Sequence, residues 1–93
     1  MGRRGFWNAM MGAADLDTEP RPGEPLVEMA GQGRVLIENH MGVMGYGTEE
    51  ICVKVKFGQV IVSGTKMILS RMTQSQLLIT GCIDSVRFCR REV

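Results

Sequence analysis

The chain has 93 residues, of which 44% are hydrophobic and 23% charged, and its formal net charge is +1. That length allows one domain with a modest core. The charge balance argues against nucleic acid as the default partner, and 5% aromatic residues leave no stacking platform for single-stranded bases.

Residues 1–24 read as a flexible N-terminal tail and residues 25–93 as a β domain. Met1-Gly2-Arg3-Arg4 carries the charge of a signal peptide, but the following stretch is short and broken by Asn8 and several glycines. Phe6 stands where myristoylation wants Ser or Thr. No apolar run approaches the ~18 residues that a spanning helix needs. Phe6, Trp7, Met10 and Met11 fit a short amphipathic turn that could touch a membrane surface or a partner. Asp15 to Pro25 should be extended.

From Pro25 onward the pattern is β. Leu26 to Met29 is a first strand, placed at an edge because Pro25 cannot donate to a ladder. Ala30 to Gly33 turns, and Arg34 to Glu38 is the second strand. Asn39-His40-Met41-Gly42 fits a type I turn with a bulge, so Val43 to Tyr46 should return as a hairpin partner. Gly47 to Glu49 turns into a long strand from Glu50 to Phe57.

Gly58-Gln59 is the strongest local signal. As a type II′ loop it would set Phe57 against Val60, Val55 against Val62 and Val53 against Gly64. Lys56, Lys54 and Cys52 would face Ile61, Ser63 and Thr65 on a mostly polar side, so turn and binary pattern agree. Beyond Val62 the inward phase slips from even to odd positions, Met67 and Leu69. One extra residue between Gly64 and Lys66 accounts for that. Thr73-Gln74-Ser75-Gln76 turns, Leu77, Ile79, Gly81 and Ile83 alternate, and the phase slips again at Asp84-Ser85 through a tight turn or a bulge. Val60-Ile61-Val62-Ser63-Gly64 echoes Leu77-Leu78-Ile79-Thr80-Gly81, as though two strands bend at a glycine in the same way. Such corners suit a sandwich. The expectation is an all-β, immunoglobulin-like sandwich of about seven or eight short, mostly antiparallel strands.

Reactive groups are few. His40 lies in a turn, where Glu38 could contact it, and local backbone bonding is the plainer reading. Cys52, Cys82 and Cys89 lack metal or redox spacing and read as reduced sheet residues of an intracellular protein. Gly31-Gln32-Gly33 lacks the rest of a phosphate-binding fingerprint. Catalytic, cofactor-binding and metal-ligating residues are therefore none, and no cofactor is expected. Met41, Met44, Met67 and Met72 suit an irregular core. Lys54, Lys56 and Lys66 form a mild basic strip with Arg71 or Arg87, which reads as a solvated face and could otherwise meet acidic lipid or protein.

The segment Val35-Leu36-Ile37-Glu38-Asn39-His40-Met41-Gly42-Val43-Met44, followed by Tyr46, resembles the Glu-Asn-His-x-Gly turn of the YabP/YqfC sporulation proteins, on the YqfC side. Gly58 to Gly64 and Leu77 to Phe88 are similar to that family's later strands, so the likeness covers residues 26–88. Met41 stands where the family often has a basic residue, and Pro20, Pro22 and Pro25 fit its N-terminal pattern only loosely. The resemblance implies a small, non-enzymatic β-sandwich protein of endospore formers. It implies a protein-interaction module in the mother-cell cytoplasm, peripheral to the outer forespore membrane, with a membrane-bound partner of the YqfD type. Glu38, Asn39, His40 and Gly42 carry over as a family mark and interaction turn. The alternatives are a self-assembling, homo-oligomeric element of the spore envelope, and a small-ligand binder or enzyme using Glu38 and His40. Nucleic acid is not an expected partner.

Overall fold

The computed structural model describes residues 22–91. The proposed N-terminal amphipathic turn and nearly all of the tail lie outside them. Residues 22–24 are held in place: the Pro22 carbonyl accepts from Lys56 Nζ and the Glu24 carbonyl from Asn39 Nδ2.

Six strands form one antiparallel sheet: β1 (Leu26–Ala30), β2 (Arg34–Glu38), β3 (Val43–Tyr46), β4 (Glu50–Val55), β5 (Gly58–Met72) and β6 (Gln76–Arg90). Their order across the sheet is β1-β2-β6-β5-β4-β3. The described residues contain no helix. The expected seven or eight strands reduce to six because the phase slips are bulges within continuous strands, not breaks between them. Asp84 is the extra residue opposite Ser63 and Gly64, and further shifts fall between Thr65 and Ile68 and between Leu69 and Arg71.

Those bulges double the long β5–β6 hairpin back on itself. Glu38 pairs with Gln76 at one end of the hairpin, whereas Met41 and Gly42 bond Lys54, which pairs with Gln59 at the other. A straight β5 would hold Gln59 and Met72 about 43 Å apart. Residues 39–42 can span only about 14 Å. The two ends therefore approach each other, and one open sheet folds over its own inner face. Val35, Ile37, Leu77 and Ile79 line one half, and Ile51, Val53, Val55, Val60 and Val62 the other. Met67 and Ile83 lie at the crease, and all eleven form one buried cluster.

Two turn expectations are corrected. The β4–β5 loop is Lys56-Phe57, with Val55 opposite Gly58 and Val53 opposite Val60. The shift is even, so the side chains that remain in the strands keep their faces, whereas Phe57 moves into the loop and is exposed. Phe57 takes positive φ (71°), unusual for a bulky residue, while Gly58 does not. Gly58 is needed for a different reason, since a Cβ there would collide with the Cys89 carbonyl of β6. Gly64 likewise abuts the Cys82 carbonyl at the crease. The second correction concerns residues 39–42. They do not close a β2–β3 hairpin; they carry the chain from β2 to the opposite edge, where β3 pairs with β4.

Candidate functional site

The Glu38-Asn39-His40-x-Gly42 turn grips the β5–β6 turn, and each of its residues has a separate task. Glu38 ends β2, and its Oε2 accepts from Gln76 Nε2 at 2.7 Å across the β2–β6 pair. Asn39 then reverses the chain at φ 64°, a conformation Asn tolerates better than most residues. Its backbone N–H donates to the Ser75 carbonyl at 2.6 Å, and its side chain donates to Glu24. Gly42 completes the reversal at φ 118°.

His40 joins the two turns. It is 8% exposed, the one polar residue in the buried set among the described residues. Nδ1 accepts the Gly42 N–H at 3.0 Å, so Nε2 carries the ring proton and donates it to the Thr73 carbonyl at 2.8 Å. Both ring nitrogens are thus engaged with backbone. Glu38 thus bonds Gln76, and His40 bonds backbone, the plainer of its two readings, locally at Gly42 and across to Thr73. Sequence reasoning missed Thr73, Ser75 and Gln76 as partners of the motif. Thr73 offered a faint signal, since its Oγ1 caps the Ser75 and Gln76 N–H groups as a turn-initiating threonine does.

Other described residues line surface clefts. One of about 210 Å³ runs across the sheet beside Met44, Lys54, Gln59, Cys89, Arg90 and Arg91. Another, about 380 Å³, lies along Gly45 to Glu50 and Cys52. The three cysteines are free, and burial, followed by the Glu50 carboxylate, pushes the Cys52 thiol above its ordinary pKa. No group of three or more His, Cys, Asp or Glu side chains able to hold a metal occurs among the described residues.

Methionine does not behave as core filler. Met67 is buried, but Met41, Met44 and Met72 are half exposed or more. Tyr46 on the β3 edge is exposed too, and its hydroxyl accepts the Leu69 N–H of β5 at 3.3 Å. Val27 and Met29 pair with the fully buried Ile37 and Val35, so they face the core side, yet both remain over a third exposed. The inner apolar face therefore runs past the β1 edge uncovered.

The YabP family profile matches residues 23–93, nearly the whole of this architecture. The chain belongs to the YabP/YqfC family. Within that family it is similar to uncharacterized protein YqfC of Bacillus subtilis (strain 168), with 33% identity over 64 residues, 69% of each chain. No solved structure matches it. The resemblance carried by the Glu38-Asn39-His40-x-Gly42 turn is thus upheld, and in this YabP-family chain that turn is a clamp between two loops.

Proposed function

We propose that this YabP/YqfC-family chain is a non-enzymatic sporulation protein of the mother cell. It serves as an interaction module at the developing forespore envelope, beside a membrane-bound partner of the YqfD type. In this reading the folded-over sheet is a small sandwich of the immunoglobulin-like class whose open β1 edge receives the partner. The carrying observation is the exposure of Val27 and Met29 on the core-facing side of β1, the end strand of the sheet. The engagement of both His40 ring nitrogens supports it further, because a base or ligand at that turn would need one of them free.

The test is retrieval from sporulating mother-cell extract, using the full chain and the double variant Val27→Lys/Met29→Lys. The variant should lose the membrane partner that the parent retains, with an unchanged melting temperature. Equal retrieval by both would sink the β1 reading. The same uncovered edge favours a second reading, self-assembly into an envelope array. Light scattering over a concentration series separates the two, since only an assembling chain grows in mass with concentration.

A further inference from the structure

We propose that the β4–β5 hairpin tip is a docking surface for an anionic lipid bilayer, with Phe57 as the inserted side chain. Phe57 is 56% exposed, and its backbone sits at φ 71°. A bulky aromatic is poorly suited to both conditions, and strained positions of this kind gather at functional sites. Folding alone would favour Asn or Gly there. Some other requirement therefore keeps an aromatic ring at the tip.

The surroundings say what that requirement is. The Phe57 carbonyl accepts the Arg91 N–H at 2.7 Å, which fastens the end of β6, with Arg90 and Arg91, beside the loop. Lys56 Nζ lies 5.2 Å from the Phe57 ring centroid, and Lys54 lines the adjoining cleft with Arg90 and Arg91. Met41 bonds Lys54 through backbone, and Met44 shares the cleft, so two further apolar side chains, 58% and 61% exposed, join the same end. Most acids among the described residues lie elsewhere. Glu49, Glu50 and Asp84 gather at the crease, where the Glu49 carbonyl accepts from Gly64 and Glu50 pairs with Ser63. Glu24, near Pro22 at the tip end, is already engaged. Lys54, Arg90 and Arg91 have no ion-pair partner among the described residues.

Exposed apolar side chains beside cations that form no ion pair among the described residues match the boundary of an anionic bilayer, where rings and thioethers enter the acyl region while ammonium and guanidinium groups meet phosphates. Beside the cleft that Met44 lines, Phe57 and Met41 are more than half exposed, which suits entry into an acyl layer better than closure around a single protein side chain. This surface uses different residues from the β1 edge, so either can fail without the other.

The experiment is co-sedimentation of the full chain with phosphatidylcholine vesicles, with and without added phosphatidylglycerol. Binding should require phosphatidylglycerol and weaken as salt rises. Phe57→Asn should bind at least about tenfold more weakly, the loss of one buried aromatic, while its urea midpoint rises because the strained φ is relieved. Arg90→Gln/Arg91→Gln should lose roughly fivefold for each charge. In a Trp7→Phe/Phe57→Trp variant, brominated lipid should quench the new tryptophan. Equal binding to both vesicle types would overturn the proposal. Full binding by Phe57→Asn would also do so, assigning adhesion to residues 1–21. Displacement from vesicles by soluble poly-glutamate at equal affinity would point to an acidic protein instead.

Discussion

Replacing His40 tests whether the family turn is a clamp. In His40→Ala the Thr73 carbonyl and the Gly42 N–H both lose their partners in a site that is almost closed to water. Each orphaned group should cost about 1–2 kcal/mol, the lower part of the usual range, because both lie in turns that solvent can reach after relaxation. The sum is ~2–4 kcal/mol, or roughly 10–20 °C in melting temperature for a domain of this size. His40→Asn keeps an acceptor near the Nδ1 position and His40→Gln a donor near Nε2, so each should cost about half as much as alanine. Urea unfolding followed by circular dichroism gives all three values. A cost under ~0.5 kcal/mol for alanine would refute the clamp. So would a loss of partner binding with unchanged stability, which would make His40 a contact residue.

Three further outcomes follow from the same structure. Gly64→Ala drives a methyl into the Cys82 carbonyl at the crease, and the backbone can only shift, so a loss of about 2–3 kcal/mol is expected by the same unfolding assay. Among the thiols, exposed Cys82 should react first with an alkylating agent and Cys52 last, as judged by mass spectrometry of timed samples. Cys52 also gives a pH dependence. Its folded pKa is raised, so its contribution to stability is complete at neutral pH and is lost as pH climbs through the alkaline thiol range. Cys52→Ser should flatten that alkaline decline in urea midpoints.

Strand positions and faces were legible in the sequence because period-2 alternation is a local signal that survives tertiary structure. Both phase slips, near Gly64 and at Asp84, emerged as bulges for the same reason. The β2–β3 connection was not legible. Asn-x-x-Gly is a sound hairpin signal locally, but the bond that fixes the turn joins His40 to Thr73, 33 residues away. Gly58 misled in a similar way: it looked like a turn glycine, whereas a neighbouring strand's carbonyl excludes its Cβ. Half of the candidate site was visible, since Glu38, Asn39, His40 and Gly42 marked themselves by family likeness. The Thr73–Gln76 half was hidden because common polar residues in a turn carry no mark of what they will bond.

The bent β5–β6 hairpin has a consequence for how the chain is made. β2 finds its inner neighbour only in β6, and β5 must pair with β6 along its whole length. Until the final strand leaves the ribosome, the valines and isoleucines of the earlier ones have no second wall to close against. Maturation of this protein is thus a late, all-at-once event, and a nascent chain halted before residue 76 should be held by chaperones rather than partly folded.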